Sequence, residues 1–206
     1  MSDIIQGTDE WRQIRCGKIT ASRIADLMAR TKSGPSASRK NYISELVVER
    51  MTNIPTDHFV SREMQWGIDH EPEARALYEM TYGVTVDKLG FAINHTIENS
   101  GASPDGLIDD DGAVEIKCPN TATHIETLIN RKVPSRYNYQ IQWVLDCTWR
   151  QWCDFVSYDP RMKNQKLKLC VIRVERNSVL IESIREEVKK ADYEIENLIQ
   201  KLESLR

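Results

Sequence analysis

Two acids and a lysine are the residues of this chain best placed to do chemistry together. Asp105 follows Pro104, and nine residues later comes Glu115-Ile116-Lys117. Apolar-rich runs flank Asp109-Asp110-Asp111-Gly112, so the stretch from Gly101 to Pro119 reads as a β-hairpin. Strand alternation puts Glu115 and Lys117 on one face. A four-residue loop would set Gly106 opposite Glu115 and leave room there for an ion. Asp105 would then reach that face only if Pro104-Asp105-Gly106 breaks the pleat. Carboxylate oxygens, with the Ile116 carbonyl as a further donor, suit Mg²⁺ or Mn²⁺ and not Zn²⁺. Such an ion polarises a phosphoryl oxygen and acidifies water. A nearby ammonium orients or deprotonates that water, or offsets charge in the transition state. These are the parts of a phosphodiester-cleaving site. The same residues also describe a solvated hairpin in which Glu115 and Lys117 form a surface pair. Asp109 to Asp111 lack the alternating ligands and closing Glu of an EF-hand and read as a turn.

Composition narrows the class. The 206 residues are 40% hydrophobic and 29% charged, which suits one soluble domain. No run of about 18 apolar residues is present, so no helical membrane span is expected. Met1-Ser-Asp-Ile-Ile has neither a basic region nor a long apolar core, so no export signal is expected and the chain reads as cytoplasmic. A net charge of −3 does not mark a nucleic-acid binder, but acids at a metal site lower the sum. Cys16, Cys118, Cys147, Cys153 and Cys170 contain no C-x-x-C pair and read as reduced thiols, and their spacing gives little support for an iron–sulfur cluster. The four histidines show no ligand spacing, so zinc is not indicated.

The elements that must position these residues follow from periodicity. A short helix is expected over residues 8 to 15, capped by Thr8 or Asp9. Thr20-Ala21-Ser22 opens another, placing Arg15 and Ser22 near a helix start where an anion is favoured. A cap at Ser22 and a solvated Arg15 fit the same pattern. Thr31 to Lys40 reads as a loop whose Lys32, Arg39 and Lys40 could meet phosphates or simply solvent. Helices are expected over 41 to 51 and over Ser61 to Tyr82, the latter carrying Pro72, Glu71 and a core stripe of Ala74, Leu77 and Tyr78. Glu71 also suits a helix's first turn. Val84 to Asn94 reads as a strand preceding the hairpin. His124 to Ile129 reads as a short helix with His124 at the surface, and Tyr137 to Cys147 as a helix carrying Gln140. Strands are expected over Gln151 to Tyr158 and Lys168 to Glu175, then an amphipathic helix over Ile184 to Leu205.

The motifs also carry a resemblance. Pro104-Asp105 with Glu115-Ile116-Lys117 matches the PD-(D/E)xK nuclease signature. The longer strings Ala102-Ser-Pro-Asp-Gly-Leu107 and Glu115-Ile-Lys-Cys-Pro119 resemble the lambda-type alkaline exonucleases, the YqaJ-like viral recombinases. Trp11…Arg15-x-Gly17-x-Ile19-Thr-Ala-Ser22, Trp66-Gly67…Glu71, Gln140-x-Gln142 and Tyr158-Asp-Pro-Arg-Met-Lys163 agree in order. The resemblance spans residues 9 to 176, so a single exonuclease domain is expected, with a C-terminal helix over 182 to 206.

It implies an α/β fold, a PD-(D/E)xK core with a mixed central sheet flanked by helices. It further implies a Mg²⁺-dependent 5′→3′ exonuclease, with Mn²⁺ able to substitute. The substrate would be linear duplex DNA, degraded to 5′-mononucleotides and leaving a 3′ single strand for annealing. Asp105, Glu115, the Ile116 carbonyl and Glu71 would hold two ions, Lys117 would activate the nucleophile and Gln140 would help place it. Arg15 and Ser22 would form a 5′-phosphate pocket, with Lys32 and Tyr137 as further DNA contacts. Met64 falls where the family has a leucine wedge that parts the strands. A ring-shaped homotrimer and a single-strand annealing partner are implied as well. A PD-(D/E)xK endonuclease and a catalytically idle DNA-end-binding module are the competing readings.

Overall fold

The computed structural model describes residues 4–32, 34–56 and 60–205, so Met1 to Asp3 of the N-terminal reading and Ser33 of the expected loop lie outside it. Helix α1 (Asp9–Arg15) begins where the Thr8 hydroxyl accepts the Trp11 N–H. Strand β1 (Ile19–Thr20) runs through a 3₁₀ turn (Ala21–Arg23) into the short helix α2 (Ile24–Met28). A small ribbon, β2 (Arg30–Thr31) with β3 (Gly34–Pro35), leads to α3 (Ala37–Thr52) and α4 (Arg62–Tyr82). Strands β4 (Ala92–Ile93), β5 (Ser100–Ala102), β6 (Gly106–Ile108) and β7 (Gly112–Lys117) follow. Helices α5 (Thr121–Asn130) and α6 (Ser135–Thr148) cross over to β8 (Trp152–Tyr158), then come β9 (Leu169–Glu175) and α7 (Ser178–Glu203).

The fold is mixed α/β. Its main sheet has the order β6-β7-β8-β9, with β7 and β8 parallel and the other pairs antiparallel. A parallel pair needs a long crossover, which α5 and α6 supply. A smaller sheet, β1-β5-β4, abuts α6. Helices cover both faces of the main sheet. Val114, Ile116, Val156 and Tyr158 pack with Ala74 and Tyr78 of α4. Ala113, Cys153 and Phe155 face the larger core of Tyr42, Trp143 and Ile184 from α3, α6 and α7. Strand alternation therefore sends Glu115 to the second face, towards α6. Among the described residues, no helix is long and apolar enough to cross a membrane.

Several expectations change. Val84 to Asn94 is not a continuous strand: only Ala92–Ile93 is, with a lone bridge from Asp87 to Leu107. The Val86 N–H is taken by the Glu79 carboxylate, and Ile4 packs its backbone onto Gly90, so ladder partners are missing there. Helix α3 starts at Ala37 rather than residue 41, because Ser36 caps it by accepting the Arg39 N–H. Arg39 is then buried against Glu194 of α7, 2.8 Å away, and is not presented to a phosphate. Helix α7 starts at Ser178, capped by Asn177, and not at Ile184. His124 is buried, its ring between Ser157 Oγ (2.8 Å) and the Leu167 carbonyl (2.7 Å), because the first turn of α5 points into the sheet.

One buried carboxylate ties the small sheet, α6 and α7 together. Asp146 accepts from Arg176 and Arg185, each at 2.7 Å, and from Asn94 at 3.0 Å. Burial alone would raise its pKa, but these donors outweigh it and hold it below the usual value. Asp146→Asn should therefore lower stability by about 3–5 kcal/mol near neutral pH. A depressed pKa gives stability that is lost as pH falls, so the gap between wild type and variant should close below about pH 3.9. Urea melts across pH check both.

Candidate active site

The hairpin register builds the acid pair. Gly106 pairs with Val114 and Ile108 with Gly112, leaving the three-residue loop Asp109 to Asp111. Asp109 takes a left-handed φ of 45° to close it. The expected four-residue loop would have set Gly106 opposite Glu115; the observed register instead carries Asp105 opposite Glu115, on the same face. The ladder ends at Gly106 and Asp105 sits in a bend, so regular pairing does stop at Pro104-Asp105. Gly106 does not reserve space for an ion either, since a Cβ there would lie 2.0 Å from Val86 Cγ1. Asp105 stands just past the end of β6, and its Oδ2 accepts the Ile116 N–H at 2.6 Å, a bond the strand no longer supplies. The N–H and C=O of a strand residue leave on the same side. The Ile116 carbonyl is thus directed to the same open edge.

Glu115 has no solvent exposure, so the surface-pair reading fails. Lys117 Nζ lies 2.5 Å from its Oε1 and 4.0 Å from Asp105 Oδ2. Gln140 of α6 also donates to Oε1, while Oε2 is buried without any partner. Desolvation, followed by repulsion from Asp105, raises the Glu115 pKa from 4.5 to about 7. Burial works to lower the Lys117 pKa, but Glu115 and Asp105 outweigh it and keep the ammonium charged. The Tyr137 ring lies 5.5 Å from that ammonium, and its hydroxyl accepts from Arg136 at 2.7 Å.

Helix α4 brings Glu71 to the open edge. Glu71 pairs with Arg75 one turn later, and Arg75 Nη2 also donates to the Asp105 carbonyl at 3.1 Å. Burial, then Asp105, pushes the Glu71 pKa up. Asp105, Glu71, Arg15, Ser22 and Met64 line one cleft of ≈1550 Å³. In it the Arg15 guanidinium lies 4.1 Å over the Trp11 ring and 5.9 Å from that of Phe91, and donates to Ser103 Oγ at 3.0 Å. Burial lowers its pKa to about 10, still charged at neutral pH. Ser22 is exposed on the 3₁₀ turn, and Met64 is 53% exposed on α4. Lys32 is exposed on the β2–β3 turn and does not line the cleft. Sequence reasoning missed Ser103 and Arg75. The only hints were a serine two places before Asp105 and the Glu71-to-Arg75 spacing of a helical ion pair.

The donor set fits a hard divalent ion. Glu115 Oε2 is an orphaned buried oxygen, the Ile116 carbonyl faces the same edge, and burial, then repulsion from Asp105, raises the pKa of both Glu115 and Glu71. Among the described residues no three His, Cys, Asp or Glu side chains already form a cage, and Lys117 and Arg75 are paired with Glu115 and Glu71 in this arrangement.

The YqaJ-like viral recombinase domain matches residues 10–151. The crystal structure of LHK-Exo, an alkaline exonuclease from Laribacter hongkongensis, is 45% identical with a TM-score of 0.88, covering 95% of this chain and 96% of that one. LHK-Exo in complex with dAMP is also 45% identical, with a TM-score of 0.86 over 97% of this chain and 100% of that one. A phage-related exonuclease from Haemophilus somnus 129PT shares the fold at 16% identity, with a TM-score of 0.72 over 90% and 96% of the two chains. No curated protein matches.

Between pH 4.5 and about 7 the native Glu115 holds a proton that the unfolded chain has lost, so stability falls as pH rises through that window. An ion requires the ionised acids, so its stabilisation should grow in the same direction. In chelator, the melting temperature of wild type should fall more between about pH 5 and pH 8 than that of Glu115→Gln. Added Mg²⁺ should raise it chiefly at the higher pH, and only in wild type. Thermal melts at the two pH values are the measurement.

Proposed function

Because the chain belongs to the YqaJ-like viral recombinase family, we propose that it degrades linear duplex DNA from 5′ ends towards 3′, releasing 5′-mononucleotides and leaving a 3′ single strand for annealing. It is a nuclease of the alkaline exonuclease type, a class that is generally metal-dependent. The observation that carries the reading is a single cleft holding both the Asp105 carboxylate and the Arg15 guanidinium. Binding of dAMP by LHK-Exo fits a mononucleotide product.

In this reading Asp105, Glu115, the Ile116 carbonyl and Glu71 hold two Mg²⁺ ions, for which Mn²⁺ can substitute. When bound, the ions supply Lewis-acid polarisation of the phosphoryl group and a more acidic water. Lys117 is kept charged beside Asp105 by Glu115, so it orients the attacking water or balances charge as it develops, and does not take the water's proton. Gln140 acts through Glu115, which it holds, rather than on the water directly. Arg15, clamped by Trp11 and Ser103, offers a planar fork to a terminal 5′-phosphate, and Ser22 adds a neutral donor on the same wall. Tyr137 and Lys32 contact DNA further out, and Met64 projects from α4 as the wedge between strands. Three copies would enclose the DNA in a ring, and a single-strand annealing protein would take up the product strand.

Digestion of linear duplexes with 5′-phosphate or 5′-hydroxyl ends, beside a closed circle, tests this. Wild type should need Mg²⁺, prefer the phosphorylated end and leave the circle intact; a nicked circle would make it an endonuclease. Arg15→Ala should cut the end preference by about ten- to a hundredfold, the worth of one charge-assisted hydrogen bond, with ion binding unchanged. An unchanged ratio would place the phosphate pocket elsewhere.

Lys117→Ala should behave differently. Ion and DNA binding should persist while kcat falls, because the ammonium acts as charge develops. A rise in KM with kcat intact would make Lys117 a binding residue instead.

A further inference from the structure

We propose that Arg75 is a positioning residue that sets the affinity of the site for its divalent ion, by locking Glu71 and the Asp105 backbone into one geometry. The inference rests on reading Asp105, Glu115 and Glu71 as the ion's ligands. Glu71 comes from a helix and Asp105 from the hairpin, so nothing in local structure keeps them in register. Arg75 does so with one atom: Nη2 donates both to Glu71 Oε1 and, at 3.1 Å, to the Asp105 carbonyl. Among the described residues, no other side chain is hydrogen-bonded to both.

Two features separate this arginine from an ordinary helix-surface pair. Asp105 lies beyond β6, where no ladder partner holds its carbonyl, and Arg75 supplies the missing donor. Arg75 is also buried, and its Nε has no partner, an unsatisfied donor that packing alone does not account for. The guanidinium is planar and rigid, so a shift of Glu71 is passed to Asp105. Glu71 Oε2 and Asp105 Oδ1 accept no hydrogen bond from the described residues and stay open to an ion.

Charge and positioning predict opposite signs. A positive group beside a cation site repels the cation, so on electrostatics alone Arg75 removal would tighten ion binding. Positioning predicts weaker binding, by about ten- to a hundredfold, as is usual when the partner of a metal ligand is lost.

The test is calorimetric titration of Mg²⁺ into the whole protein without DNA. Wild type, Asp105→Ala, Glu71→Gln, Arg75→Lys, Arg75→Met and the Glu71→Gln/Arg75→Met double variant are compared, with thermal melts to establish folding. Arg75→Met should weaken ion binding at least about tenfold, and Arg75→Lys, which keeps a donor, should recover part of the loss. In the Glu71→Gln background the Arg75→Met loss should shrink, because the two act as a unit. If Arg75→Met fails to fold, Arg75→Lys decides, through several-fold weaker ion binding and lower kcat at an unchanged KM for DNA. Equal or tighter binding in folded Arg75 variants, or losses that simply add, overturns the positioning role alone. Identical titrations of wild type and Asp105→Ala overturn the ligand assignment itself, and the proposal with it.

Discussion

A carboxylate with no exposure to water, on a central strand, governs this structure. Removing Glu115 from solvent is costly unless other groups meet its charge. The chain meets it with Lys117 from the same strand face and Gln140 from α6, and leaves one oxygen unpaired. The rest of the sheet serves that placement. The crossover through α5 and α6 makes β7 an interior strand, and α4 closes the opposite face. A site built this way is rigid, because moving any wall would strand a buried charge.

Much of this was legible in the chain, for reasons that can be named. Alternation in Gly112–Lys117 and Trp152–Tyr158 is strong, and it put Glu115 and Lys117 on one face correctly. Loop length was not legible, because it turned on Asp109 accepting a left-handed φ, which Asp tolerates but does not announce. One residue of loop decided whether Asp105 met Glu115 or Gly106 did. Val84 to Asn94 alternates like a strand yet pairs only at Asp87 and from Ala92 on, since the Val86 N–H is taken by Glu79 and Ile4 packs onto Gly90. Periodicity reports which side is apolar and says nothing of who pairs. Arg75 and Ser103 were hidden for the same reason: their meaning lies in groups about 30 and 90 positions away, Asp105 and Arg15.

The acids are also not bare. Lys117 and Arg75 divide them, one ammonium on Glu115 and one guanidinium on Glu71. Cations entering such a site redistribute existing pairings instead of filling an anionic void. The net charge is a modest −3 although 29% of the residues are charged. Charge is matched locally, within the cleft and across helices, as Arg50 does in holding both Asp192 and Glu196.

Ser103 and Asp105 stand two residues apart on one stretch of backbone, the first bound by Arg15 and the second by the Ile116 N–H. Two residues span at most about 7 Å, so the backbone bounds how far the two groups can part. If Arg15 grips the end of a strand while Asp105 faces the bond to be cut, the peptide chain itself is the gauge between them. In that reading the distance from the grip to the cut would be bounded by two residues of peptide chain, whichever base happens to arrive.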